Sequence, residues 1–342
     1  MSAQKPRLTI AIPTVNRASL VTRALDSALA QTYRDIEIIV SNNGSTDDTR
    51  AVLSRYEGLP RVRILHREET IPTVVHGSFI LEQVTTDLVL SLSDDDWLEP
   101  TFAERAIDLY DRHPEVSFVW TGCFMHYADV AMPAAIGPEV ESGTDFLAAF
   151  LVGVRNICWC ACVMRTADLK RLSPIPTDVI CGDMFFWTKL AALGPVGCVP
   201  EPVSHYVVFR DAGDNESGGT SVLTWARDTA RWVRDMVASY EKSGATRYSR
   251  EELHYYASRF LARSVANQFA WQAIRGADRR SLIRSVKAAL PYLRSHDRSP
   301  WIRVIASLVA PRWLLRRRML AEARRNARLD SRLPGNALRQ LA

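Results

Sequence analysis

The run Ser93-Asp94-Asp95-Asp96-Trp97 places three consecutive carboxylates directly after an apolar segment, Leu88-Val89-Leu90-Ser91-Leu92, that reads as a buried strand. A cluster of that charge at a strand end is unfavourable unless something neutralises it. Oxygen ligands so arranged suit a hard divalent cation, Mg²⁺ or Mn²⁺, held by few protein groups and therefore with coordination positions left for a substrate diphosphate. An isolated acidic triplet can equally be a solvated turn, so the choice between the two rests on what surrounds it.

The surrounding elements alternate. Leu8 to Ile12 reads as a short strand, Pro13-Thr14-Val15-Asn16-Arg17 as a turn, and the next stretch as a helix capped by Ser19 with apolar positions Leu20, Val21, Ala24, Leu25, Ala28 and Leu29. Ile36 to Val40 is a second strand and Asn42-Asn43-Gly44-Ser45 a loop, after which Thr46-Asp47-Asp48 opens a helix with its acidic residues in the first turn. Arg61 to Leu65, a helix between Val74 and Val84, and Leu88 to Leu92 continue the pattern. Such alternation predicts a mostly parallel sheet flanked by helices, an α/β fold whose ligands bind at the carboxyl ends of the strands. The two polar loops and the aspartate run fall at such ends. Regularity fades after Val116 to Trp120, and from Thr224 onward helical periodicity dominates, which places a boundary in the Gly213 to Gly219 loop.

Composition sets the class. With 342 residues, 47% hydrophobic and 24% charged, the chain suits one large domain with an appendage, or two domains, and excludes a disordered or fibrous protein. The Met1 to Arg7 lead has no apolar signal-peptide core and no stretch approaches ~18 uninterrupted apolar residues, so a cytoplasmic location is expected. Cys158, Cys160 and Cys162 alternate with other residues and would share one face of a strand as small buried hydrophobes; they lack the spacing of a zinc site.

The motifs Pro13-Thr14-Val15-Asn16-Arg17, Gln31-Thr32-Tyr33, Glu37 through Thr49 and Ser93 through Pro100, in that order, resemble those of family 2 glycosyltransferases, inverting enzymes of the GT-A fold, over roughly residues 7 to 215. The nearest branch is the bacterial one that builds O-antigen and other surface polysaccharides. The resemblance implies a Rossmann-like GT-A domain with a nucleotide-sugar-binding half (1–120), an acceptor-binding half carrying the base (121–219) and a basic helical extension (220–342). It implies a nucleoside-diphosphate sugar donor bound by Pro13, Thr14, Val15, Asn16, Arg17, Asn42, Asn43, Asp94 and Arg210. It also implies a metal held by Asp95 first, with Asp96 and His205 as further candidates, and a glycan or polyprenyl-linked acceptor.

Four departures from the family pattern stand out. Val15 replaces a common aromatic residue, and Asn42 and Asn43 stand where aspartate is usual, which alters base selectivity because an amide donates as well as accepts. Ser93 takes the usual leading aspartate of the metal motif. Gly182 replaces the glutamate of a Glu-Asp pair, leaving Asp183 as the catalytic base implied for removing the acceptor proton, although it can also merely cap the helix that follows. A sugar-nucleotide-forming nucleotidyltransferase would want a glycine-rich phosphate loop, and Pro13 to Ser19 contains no glycine. A non-catalytic membrane- or nucleotide-binding protein would not need the aspartate run and Asp183 together.

The net charge of +5 is concentrated late in the chain. Arg303, Arg312, Arg316, Arg317, Arg318, Arg324, Arg325 and Arg328 are interleaved with Trp301, Ile302, Val304, Ile305, Leu308, Val309, Trp313, Leu314 and Leu315. That pattern matches an interfacial segment at the inner face of the cytoplasmic membrane better than a nucleic-acid reader, and it equally suits a helix packed on the core with a solvated basic face.

Overall fold

The computed structural model describes residues 6–330, apart from 128–129, 135–136, 153–154, 156, 175, 177–179, 181, 210–219, 246 and 295–297. Alternating strands and helices open the chain: β1 (Leu8–Thr14), α1 (Val21–Leu29), β2 (Ile36–Asn43), α2 (Thr49–Leu53), β3 (Val62–Arg67), α3 (Thr73–Gln83), β4 (Leu88–Ser91), the two-residue β5 (Trp97–Leu98) and α4 (Phe102–Arg112). Then come β6 (Phe118–Tyr127), β7 (Val130–Pro133), β8 (Val140–Glu141), α5 (Gly143–Val152), β9 (Cys162–Arg165), α6 (Thr166–Leu172), α7 (Gly182–Ala191) and β10 (Val196–Phe209). Helices α8 (Val222–Lys242), α9 (Arg250–Ile274), α10 (Arg279–Ala289), α11 (Ser299–Val309) and α12 (Arg312–Asp330) complete the described chain.

One ten-stranded sheet runs β3-β2-β1-β4-β9-β6-β10-β5, with β7 on β6 and β8 on β10. β1, β2, β3 and β4 pair in parallel, as does β6 with β10, while β9 lies antiparallel between β4 and β6. β1 is buried on both faces: Leu8, Ile10 and Ile12 pack toward α1 and α4, and Ala11 joins the opposite layer of α3, α5, α7 and α8. The chain leaves β1 toward β2 on one side and β4 on the other, so the crevice at their carboxyl ends is a topological switch point, the usual ligand position of an open α/β sheet. Trp232 and Tyr240 of α8 pack into that second layer, whereas α9 to α12 build a separate apolar cluster around Phe269.

Several local expectations shift. β1 and β2 run past their apolar stretches to Thr14 and Asn43, because Thr14 pairs with Asn42, and Asn42 and Asn43 pair with His66 and Arg67; Asn42 and Asn43 therefore end a strand and do not begin a loop. Ser19 does not cap α1: Leu20 holds the cap position without a side-chain bond, and the Leu20 and Val21 amides donate to the Arg17 carbonyl. Asp47 and Asp48 precede α2, which starts at Thr49. Cys158 and Cys160 are not on a strand with Cys162, since the chain makes a 3-10 turn at Trp159–Ala161 where Trp159 packs on Phe186 and Trp187. All three thiols are buried. The expected boundary at Gly213 to Gly219 falls outside the described residues.

Gly44 permits the turn after β2. Its φ is +67°, and a Cβ there would stand 2.5 Å from the Glu69 carbonyl carbon and the Thr70 nitrogen. Gly58 has a similar φ of +79° with open space around it. Gly58→Ala should therefore lower stability by about 1 kcal/mol from backbone strain alone, and Gly44→Ala by clearly more, since backbone must also move. Urea denaturation of both variants checks this; equal losses would remove the close approach as the reason for Gly44.

Candidate functional site

Two loops meet above the switch point. Asn16 adopts φ +53°, a conformation asparagine tolerates, and its Oδ1 accepts from the Thr46 amide at 2.8 Å while its own amide donates to Ser45 Oγ at 2.8 Å. The Arg17 amide donates to Thr49 Oγ1 and the Ala18 amide to Asp47 Oδ2. Burial raises the Asp47 carboxyl, but bonds from Thr49 and the Ala18 amide outweigh it and hold the group below the usual range. Asn16 is thus a staple between loops. Val15 and Arg17 are half-buried on the loop's rim.

The two asparagines of β2 are buried and committed to the protein. Asn42 Oδ1 accepts from the Ser45 amide and hydroxyl, and its Nδ2 meets His66 Nδ1 at 3.3 Å. Asn43 clamps Ile71, with Nδ2 donating to the Ile71 carbonyl at 2.8 Å and Oδ1 accepting from its amide at 3.1 Å. Their amide groups hold the loops that follow β2 and β3, a use of Asn42 and Asn43 that the sequence did not signal. Ser41 Oγ lies 2.8 Å from Nε2 of buried His76 on α3. Burial, with a smaller contribution from Arg67, pushes His76 down to about 4, so it is neutral at physiological pH.

The three aspartates differ in their surroundings. Thr14 Oγ1 donates to Asp94 Oδ2 at 2.7 Å, joining the end of β1 to the turn after β4. Asp96 turns inward and is 1% exposed; its Oδ1 accepts from the Val207 amide of β10 at 2.8 Å, while Oδ2 is buried without a hydrogen-bond partner among the described residues. Burial first, and the neighbouring Asp95 charge second, push its carboxyl well above the ordinary range, against the Val207 bond. Asp95 is half-buried, and its carbonyl accepts from the Arg23 guanidinium at 2.6 Å.

That guanidinium lies 3.7 Å above the Trp97 ring, Trp97 stacks on His205 at 4.5 Å and 9°, and His205 stacks in turn on Phe124 at 5.1 Å. Strand register explains the pile, because His205 of β10 pairs with Trp97 on one side and Phe124 on the other. Both His205 nitrogens are engaged, Nε2 with Glu99 Oε1 at 2.8 Å and Nδ1 with His126 Nε2 at 3.0 Å. Arg23, Glu99 and His126 were not anticipated; they come from α1, the turn after β5 and the end of β6, and only the sheet order brings them together. Arg210 lies outside the described residues.

Asp183 sits in the first turn of α7, its Oδ1 accepting from the Met184 amide at 2.8 Å. Part of its surface opens on a cavity, yet close packing raises the carboxyl to about 6, burial outweighing the Met184 bond. That cavity, of about 500 Å³, has Pro13, Ser93, Asp183 and Tyr206 in its lining. Among the described residues no three Asp, Glu, His or Cys side chains form a preformed metal cage. The donor set fits a different kind of site, in which one or two carboxylates hold a hard cation that takes its remaining oxygens from diphosphate and water. Asp95 and Asp94 meet that requirement, since neither is buried as Asp96 is.

Comparison with known proteins agrees with this architecture. The model of glycosyl transferase family 2 matches residues 9–171. The chondroitin synthase of Escherichia coli is 30% identical over 125 residues, covering 34% of this chain and 17% of that protein, so the match spans less than a fifth of that relative. Among solved structures, S. aureus TarS 1–349 in complex with UDP-GlcNAc superposes with a TM-score of 0.57 at 14% identity, covering 88% of this chain and 89% of that one. The mannosyltransferase PcManGT from Pyrobaculum calidifontis, in complex with GDP-Man and Mn²⁺, gives 0.51 at 20% identity, covering 89% and 86%. Residues 9–171 are thus a family 2 glycosyltransferase domain, and the fold is the GT-A fold that these solved structures share.

Proposed function

We propose that this family 2 glycosyltransferase moves a sugar from a nucleoside-diphosphate donor to a hydroxyl of a glycan or lipid-linked acceptor, with inversion, in the synthesis of a surface polysaccharide. The carrying observation is a single cavity lined both by Ser93, next to the aspartate turn, and by Asp183. A direct displacement requires those two ends: something to hold the departing diphosphate and, across the anomeric carbon, a group to take the acceptor proton. The TarS and PcManGT structures, with UDP-GlcNAc in one and GDP-Man with Mn²⁺ in the other, support a nucleotide-sugar donor and a divalent cation.

In this reading Asp95, with Asp94, holds Mg²⁺ or Mn²⁺, which when bound disperses charge on the leaving diphosphate. Asp94 is oriented by Thr14. Asp96 fixes the turn to β10 from behind, and His205, both nitrogens bonded within the protein, positions Trp97 and Glu99. Pro13, Val15 and Arg17 form the rim on which the nucleotide lies, with Asn16, Asn42 and Asn43 holding that rim in place. Asp183 is the base; its raised carboxyl is a better proton acceptor than an ordinary aspartate while remaining ionised at neutral pH.

Asp95→Asn should abolish the Mn²⁺-dependent thermal stabilisation by UDP, CDP, GDP or dTDP, whichever the wild type shows; retained stabilisation at saturating Mn²⁺ would remove Asp95 from the metal. Asp183→Asn should keep donor affinity and lose transfer by roughly 10²- to 10⁴-fold. In the wild type, kcat/KM should fall about tenfold per pH unit below about 6, where the carboxyl is protonated and cannot accept the acceptor proton. A profile flat down to pH 5 would place the base elsewhere.

The helical extension supplies a way to reach a lipid-linked acceptor. α11 packs through Val304 and Ser307 and exposes its other face, with Ile302 and Ile305 each 56% and Val309 65% exposed, and the start of α12 adds Trp313, 64% exposed, beside Arg312, Arg316, Arg317 and Arg318. Among the described residues no helix is long and apolar enough to cross a membrane. An apolar stripe flanked by arginines fits shallow, reversible insertion into an anionic bilayer, where each cation contributes about 1 kcal/mol. The full chain should co-sediment with phosphatidylserine-containing liposomes and be released by salt, whereas Ile305→Asp/Trp313→Asp should not sediment; equal sedimentation of the two would leave the stripe without a membrane role.

A further inference from the structure

The chain enters α7 through Ile180, which lines the cavity three positions before Asp183. The Ile180 amide donates to Asp228 Oδ2 at 3.1 Å, and Asp228, 7% exposed, belongs to α8 of the helical extension. A carboxylate at that depth is unfavourable unless its oxygens are engaged, so this bond is not one that the protein gives up cheaply. α8 is itself firmly seated. Trp232 and Tyr240 pack in the apolar layer that also holds α5 and α7, Ser221 caps the first turn, and Gln268 and Gln272 of α9 donate to the Thr220 carbonyl at 2.7 and 2.6 Å. The extension thus reaches the loop that carries the base from a fixed platform.

Asp183 Oδ1 takes the amide of the very next residue, so the direction of its carboxylate follows the backbone of the first turn of α7. We propose that Asp228 is a positioning residue for Asp183: through the Ile180 amide it fixes where α7 starts, and its charge acts on the Asp183 carboxyl from the extension. This rests on the reading of Asp183 as the base. A like charge favours the protonated carboxyl, so Asp228 adds to burial in raising Asp183. Tyr206 of β10 and Cys162 of β9 also act on Asp183, but burial pushes both well up and leaves them uncharged at neutral pH. Other charged groups on the elements around α7 are paired elsewhere: Asp145 of α5 with Arg247, Asp168 of α6 with Arg171, Lys170 with the Val84 carbonyl, and Lys189 with Asp235 of α8. Arg231, three residues after Asp228, is half-buried on the same helix.

The full-length protein with Mn²⁺ is assayed by nucleoside-diphosphate release from UDP-glucose, UDP-N-acetylglucosamine and GDP-mannose, with water as acceptor, and donor binding is followed by thermal shift. Asp228→Ala removes both the bond and the charge, and should lower kcat by about 10- to 100-fold with donor affinity unchanged. Asp228→Asn keeps an oxygen for the Ile180 amide and removes only the charge. It should recover most of that loss, while the acid limb of kcat/KM moves to lower pH because Asp183 no longer feels a like charge. A role in stability alone would lower the melting temperature of both variants and leave the limb in place. If Asp228→Ala does not fold, the limb of Asp228→Asn decides. Wild-type kcat in the Ala variant, or an unmoved limb in the Asn variant, overturns the inference and leaves Asp183 standing as the base if Asp183→Asn is inactive. Turnover retained by Asp183→Asn, or release from none of the donors, overturns the base reading and this inference with it.

Discussion

Three carboxylates in succession at the end of a buried strand repel one another and lose solvent, and much of this structure is arranged around that constraint. The protein treats each differently. Asp94 receives a hydroxyl from the neighbouring strand, Asp96 turns inward to a backbone amide and is shifted toward its neutral form, and Asp95 remains half-exposed. Shifting the innermost carboxyl toward neutrality lowers the repulsion felt by the other two. The negative charge is thereby concentrated on the side that faces the crevice, where a cation and a diphosphate would meet it.

Holding Asp96 requires β10. Its Val207 amide reaches the carboxylate only because β10 runs beside β6 and then pairs with the two residues of β5. The same pairing sets His205 between Trp97 and Phe124, so one strand fixes the acidic turn by its backbone and by an aromatic stack. Glu99 and His126 extend the arrangement sideways, and Arg23 closes it from α1. Asp183 reaches the same cavity from a different element, α7.

The first half of this fold was legible because β1, β2 and β4 are buried on both faces and read as continuous apolar runs, and because α1 carries an apolar stripe of helical period. The strand ends were misjudged for a physical reason: past Ile12 and Val40 the chain stays extended through pairing with neighbours, while its side chains turn polar to serve the crevice. Hydrophobic pattern stops where the site starts. Motif spacing singled out Asp95 and Asp183 as candidates but could not show that Asn16 and Asn43 are engaged by the protein's own backbone, since that depends on how loops about 30 residues apart lean on each other. β9 was misplaced for a related reason: the alternating cysteines suggest a strand through Cys158, Cys160 and Cys162, whereas the strand is Cys162–Arg165, four antiparallel residues with partners far away in sequence.

That short strand also decides how the molecule can be divided. β9 comes from the second half of the chain but fills the slot between β4 and β6, bonding to both. A fragment ending near residue 120 would leave the inner edge of β4 as an open row of amides and carbonyls next to the acidic turn, a template for pairing with another copy of itself. The first and second halves of the chain are therefore interlaced: exchanging the second half for that of a relative would also replace the strand on which the first half closes its sheet. A chimera that kept residues 162–165 and the partners of Met164 and Val163 would preserve that seam, and one joined at the apparent boundary after β6 would not.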